Sequence, residues 1–231
     1  NLECATFKGG CNFSWAKFKN ECVFKDTTFE NSKSGTSQDE SIANFEHVVF
    51  EDKANFKHST FECKGDFRGS RFKKNAYFTN CTFKNEINFD LTSFEGYTLF
   101  KGVVFKNYSS FSYSTFEAAV TFEELELNPF HEKNPTDKKY TKKTVFENST
   151  DFIGVFFKGP VTFDDAKFKN ELNLQDVTFQ RWPGLSKDKR NYKKDQAYEE
   201  ICRVFKRNYE DNGNKEKADE MFVKERREIR K

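Results

Sequence analysis

The sequence predicts an all-β solenoid, a chain wound in similar coils around one axis, closed at its C-terminal end by a pair of helices. Two observations carry the solenoid. Phenylalanine occurs 30 times among 231 residues, although the whole hydrophobic set is only 35% and charged residues make up 33%. An ordinary core mixes Leu, Ile and Val, so one side chain is being reused at equivalent places. Those phenylalanines also recur in alternating steps of five and six residues, as at 56, 61, 67, 72, 78, 83 and 89. Neither the helical spacing of three and four nor the two-residue alternation of a strand gives such a beat.

The beat divides the chain into blocks. Leu2, Phe7, Phe13, Phe18, Phe24 and Phe29 open it, sixteen stations run from Phe45 to Leu127, and Phe146 to Phe179 supply seven more. Of these 29 stations 26 are Phe, and the true period is eleven residues. Two places before a station sits a small or β-branched residue, such as Ala54, Ser59, Gly65, Ala76, Cys81 or Val103. Thr often precedes stations reached by five steps (Thr28, Thr60, Thr82), and Asn or Asp those reached by six (Asn12, Asn55, Asp66). A charged or polar residue follows. Two inward positions and a polar corner describe very short strands joined by turns, and such coils must stack because none has a core of its own.

The units ATFKG, AKFKN, ANFKH, CTFKN and VTFDD resemble the pentapeptide-repeat family, whose repeating unit is A(D/N)LXX with Leu or Phe at its centre. That resemblance implies a right-handed, quadrilateral β-helix with the central residue and the small residue two before it inside. The sixth residue in alternate units departs from the family pattern. It implies about 22 residues per coil, bulged corners on two of the four sides, and about seven coils. Two domains are expected: the β-helix over 1–182, with loop insertions near 30–44 and 128–145, and a C-terminal helical hairpin or cap over 186–231.

Function is expected where the beat fails, because loops on a rigid scaffold are free to vary. Between Phe29 and Phe45 lies a ten-residue excess rich in Ser, Gly and Asp. The second break, Asn128 to Val145, carries Pro129, Pro135 and a basic cluster, Lys138, Lys139, Lys142 and Lys143, beside Phe130 and Tyr140. Those lysines and Tyr140 are candidate contacts to an acidic partner surface. From about Tyr192 the period turns helical, with Tyr198, Ile201, Cys202, Phe205 and Tyr209 on one face. DNGN ends that helix, and a second from about Lys215 presents Ala218, Met221, Phe222 and Ile229 before a charged tail. Arg226, Arg227 and Arg230 in that tail are further candidate contacts, and the two helices offer a surface for oligomerisation.

No catalytic, cofactor or metal site is expected. His47, His58 and His131 are the three histidines; the first two lie one eleven-residue repeat apart and so fall on opposite sides of the coil. A metal site needs three or four converging ligands, and no third joins them. Paired carboxylates such as Asp164 and Asp165 lack the burial that acid–base catalysis requires. The Phe–Lys alternation is not read as a nucleic-acid platform, since the rings are needed inside and the charges are mixed. Net charge is +2, with 24 basic against 26 acidic residues over 1–185 and 15 against 11 beyond. Some relatives in the resembled family protect DNA gyrase as acidic mimics of B-form DNA, a reading disfavoured by that near-neutral rod.

The expected role is therefore a non-enzymatic scaffold or protein–protein interaction module, its protein partner unidentified. The six cysteines form no CxxC pair, which points to reduced thiols and a cytoplasmic setting. No run of about 20 apolar residues is present. The alternative rests on RVFKRNYEDNGNKEKADEMFVKERREIRK, which resembles the helices that follow pentapeptide repeats in some membrane-tethered members. On that reading the chain, which opens on Asn1 in phase with the beat, is a cytoplasmic piece of a longer, channel-like protein.

Overall fold

The computed structural model describes residues 1–32, 41–126, 141–180 and 192–220, with backbone alone over 192–201. Strands of two or three residues stack into four parallel sheets of seven, seven, seven and six strands. Each sheet is one side of a square coil. Face I carries the Phe7 column, face II the Phe13 column, face III the Phe18 column and face IV the Phe24 column. The register advances by 22 residues, as in Thr60 beside Thr82 and Phe61 beside Phe83. At the usual ~4.8 Å between strands, about seven layers make a rod roughly 35 Å long.

Phenylalanine fills this interior because its flat ring stacks on its copy in the next coil. Phe45 and Phe67 lie 4.7 Å apart and 2° from parallel. Phe94 and Phe116 repeat that geometry at 4.7 Å and 2°. Across the coil, rings of faces II and IV meet edge to face, Phe56 on Phe67 at 5.5 Å and 85°. Both arrangements suit the ring quadrupole, and the rings from Phe24 to Phe122 are fully buried.

The residue two before each station also points inward. Three such groups donate to the carbonyl of a station in the coil before, Ser59 Oγ to Phe24 O at 2.6 Å, Thr92 Oγ1 to Phe67 O at 2.8 Å and Cys81 Sγ to Phe56 O at 2.8 Å, whereas Ser70 Oγ donates within its own coil to Phe67 O at 2.7 Å and Ser114 Oγ is buried without a partner. Burying such groups unpaired is costly, and at Ser59, Thr92 and Cys81 the coil beneath answers them.

The corners explain the fives and sixes. Each described five-residue corner holds its second residue in the left-handed region, from Cys4 (φ 58°) through His47 (55°) and Asn80 (60°) to Asp176 (56°). The Asn or Asp that precedes a six-step station folds its side chain onto the start of that corner. Asn44 Oδ1 accepts from Glu46 N at 2.9 Å and Asn88 Oδ1 from Asp90 N at 2.7 Å, an Asx turn. The sixth residue sits at the other two corners, between faces I and II and between III and IV, and the square section persists.

One expected station is corrected. The beat assigns Leu127 to face I, but Phe105 pairs directly with Phe146 and Val104 with Val145. Gly102 N still donates to Glu123 O at 3.0 Å, the bond that Asn80 N makes to Lys101 O one coil earlier, so the chain leaves the coil after Glu123 and the excess starts at Glu124 rather than Asn128. Leu125–Glu126 and Thr141–Lys142 form an antiparallel pair at its base. Leu127 continues the five-residue step in sequence alone; it lies outside the described residues.

At the C-terminal end, helix α1 (Tyr192–Asp211) lies across the last coils. Phe205 meets Phe163 edge-on at 5.2 Å. Asn208 Nδ2 donates to Phe168 O at 3.1 Å, and Asn212 Nδ2 to Asn170 O at 3.1 Å. Carbonyls that a further strand would have paired are thus answered by side chains. A second helical stretch is described over 215–220, with Ala218 buried. Tyr198, Ile201, Met221, Phe222 and Ile229, expected on the apolar faces, lie outside the described side chains.

Candidate functional site

The insertion base and the two left-handed corners concentrate the features that the core does not explain. On the corner between faces II and III, Trp15, His47, Gly69, Leu91, Tyr113 and Gly154 succeed one another, coil by coil. Trp15 stacks on His47 with centroids 4.3 Å apart. A Cβ on Gly69 (φ +63°) would stand 2.4 Å from the His47 ring, so glycine is what lets that ring lie flat. Trp15, Leu91 and Tyr113 are 74%, 64% and 61% exposed. His47 and His58 occupy equivalent positions on opposite corners, as their spacing predicts.

The corner between faces IV and I carries Asp26, His58, Asn80 and Gly102, all left-handed, and here the insertion folds back. Leu125 lies against Gly102, where a Cβ would stand 2.6 Å from the Leu125 Cβ. Lys142 Nζ donates to Asn80 Oδ1, and Asn80 Nδ2 meets His58 Nδ1 at 2.9 Å. Burial pushes the Lys142 ammonium below its ordinary value, with Cys81 acting weakly the other way. Lys143 Nζ contacts Asp165 Oδ1 at 2.9 Å, and that hydrogen bond raises its pKa.

An open depression at the hairpin root is lined by Lys101, Glu123, Glu124, Leu125, Asp164 and Asp165. Burial alone would push Glu123 up, yet the Lys101 ammonium at 2.6 Å and the Thr162 hydroxyl at 2.5 Å hold it below the usual carboxylate range. Elsewhere the outward charges form rungs between coils, Lys84 with Glu62 at 2.7 Å and Lys158 with Glu117 at 2.6 Å. Glu51 sits between Lys17 and Lys73, whose hydrogen bonds lower its pKa. Such exposed pairs contribute little each. They also use up charge that a partner would otherwise meet.

Of the candidate contacts read from sequence, the structure therefore places Lys142 and Lys143 on intramolecular partners at the hairpin base. Lys138, Lys139 and Tyr140, with Phe130 and His131, lie outside the described residues, as do Arg226, Arg227 and Arg230. The left-handed corner ladder was missed at sequence level. Its signal is the second residue after each six-step station, hidden because Trp, Leu and Tyr are not turn residues.

Among the described residues no group of three or more His, Cys, Asp and Glu is placed to hold a metal ion. Among them, too, no helix is long and apolar enough to cross a membrane. None of the six cysteines is in a disulfide; burial raises the Cys22 thiol to about 11 and Cys11 to about 12.

No curated protein and no solved structure matches the chain. A family model described as pentapeptide repeats (9 copies) matches residues 40–82, 78–125 and 142–186. The described residues in those ranges wind the four-sided coil, with the ring at each unit's centre and the small residue inside. The chain thus belongs to the pentapeptide-repeat family, and its fold is the family's right-handed quadrilateral β-helix.

Proposed function

We propose that the chain is a rigid, non-enzymatic scaffold that meets a protein partner through the hairpin inserted after Glu123. One observation carries this reading: the rod spends its rings inside and its face charges on one another, while the insertion leaves the coil without disturbing its register. Lys142 and Lys143 anchor the base. Lys138, Lys139 and Tyr140 are the contacts assigned to the partner, an acidic surface, with Arg226, Arg227 and Arg230 as a second basic contact. Six cysteines without a disulfide support a reducing, cytoplasmic setting.

The test replaces residues 127–140 by a short Gly-Ser turn and leaves the base intact. Affinity capture from native lysate, quantified by mass spectrometry, should lose the partners that the unaltered chain retains. Identical capture by the two proteins would overturn the reading.

A further inference from the structure

The relay from Lys142 through Asn80 to His58 has its donors and acceptors fixed by chemistry. An ammonium only donates, so the Asn80 oxygen must face Lys142, as it does. The Asn80 amide group then faces His58 Nδ1 at 2.9 Å, and that nitrogen must accept. Only an uncharged imidazole has a nitrogen that accepts. We propose that the relay is a proton-operated latch, in which neutral His58 pins the hairpin base to the corner and protonated His58 releases it.

Protonation puts a donor on His58 Nδ1. Asn80 can answer it only by turning its carboxamide over, which presents two donors to Lys142. One of the two cations must lose its partner, and both now converge on one amide. What remains at the base is Leu125 against Gly102 and the antiparallel pairing of Leu125–Glu126 with Thr141–Lys142.

The charged groups of the surrounding elements are accounted for. Asp26, one coil earlier in the same corner, contacts Lys25 at 3.3 Å, and Lys25 also binds Glu3 at 2.8 Å. Lys57, beside His58, lies over the Tyr77 ring at 4.7 Å. On face I, Lys84 is paired with Glu62, on the next coil Lys101, whose carbonyl accepts from Asn80 N, is paired with Glu123 at 2.6 Å, and on the hairpin side Lys143 is paired with Asp165. Histidine is the side chain whose charge changes most readily near neutral pH. The latch stands whether or not the hairpin tip binds a partner.

The experiment is NMR on the full chain, lowering the pH from about 7.5 to about 5.5, where histidines titrate. The His58 ring, the Asn80 carboxamide and the Leu125 and Lys142 amides are followed together. All should move with one midpoint, and hydrogen-exchange protection of the hairpin base should fall about three- to tenfold, the worth of one hydrogen bond. In Asn80→Gly, which suits the positive φ, the hairpin amides should no longer move with the His58 ring signals. In His58→Asn the base should stay protected across the range. Hairpin amides that ignore the His58 titration, or that respond alike in the native chain and in Asn80→Gly, would overturn the latch.

Discussion

Leu91 shows what a single position costs and why the chain accepts it. Its φ of 57° lies in a region that branched side chains avoid, and its side chain is 64% exposed. Gly69 and Asp176 on the same corner, and Asn80 and Asp165 on the opposite one, are residues that visit this region readily. Leu91→Asn should therefore stabilise the protein by about 0.5–1 kcal/mol, by relieving the backbone while losing little burial. Urea denaturation measures it, and a loss of stability would show that Leu91 packs better than its exposure implies. Conversely, Phe83 has no exposed surface, lies 4.9 Å from Phe61 and 5.2 Å from Phe105, and cannot be spared. Phe83→Ala should cost about 3–5 kcal/mol in the same experiment.

Among elements, the cap repays comparison with the coils it closes. A strand satisfies the next strand through backbone groups; α1 reaches the terminal carbonyls with the carboxamides of Asn208 and Asn212. Asn208→Ala should leave the Phe168 and Asn170 carbonyls without that donor and destabilise by about 1–3 kcal/mol. Hydrogen exchange should show the loss first in the last coil, around Lys167–Phe168 and Leu172–Asn173. Equal loosening of all coils would contradict a local cap. Sequence made the helix legible through its period, but not this use of asparagine, which in a sequence reads only as polar surface. The coils were legible for a simple reason: a fully buried ring at each station from Phe24 to Phe122 leaves no freedom to vary. The hairpin start was not, because Leu127 falls five residues after Phe122 and keeps the beat after the backbone has left it. Thr144 carries the missed signal, since its buried hydroxyl binds Phe100 O at 2.7 Å as the inner residue before the Phe146 station.

Over the whole molecule, each coil touches only its neighbours, so stability is a sum of interfaces rather than one shared core. The end coil shows it: Phe7, Phe13 and Phe18 are only partly buried, whereas their copies at Phe61, Phe67 and Phe72 are closed off. Amide protection should rise from the first coil toward the coils of Phe61 to Phe122, and native-state exchange would read that gradient directly. A flat profile would mean that the rod opens as one unit.

The register also governs how such a chain can change its length. A deletion of five or six residues would rotate every later side chain onto another face, and one of eleven would exchange opposite sides. Only a whole coil of 22 residues can be cut or duplicated without reassigning the surface. The two insertions escape that rule: Phe29 still pairs with Phe61 and Phe105 with Phe146 whatever lies between. Growth is quantised along the rod and continuous at those two exits, which makes them the natural places to graft a foreign segment.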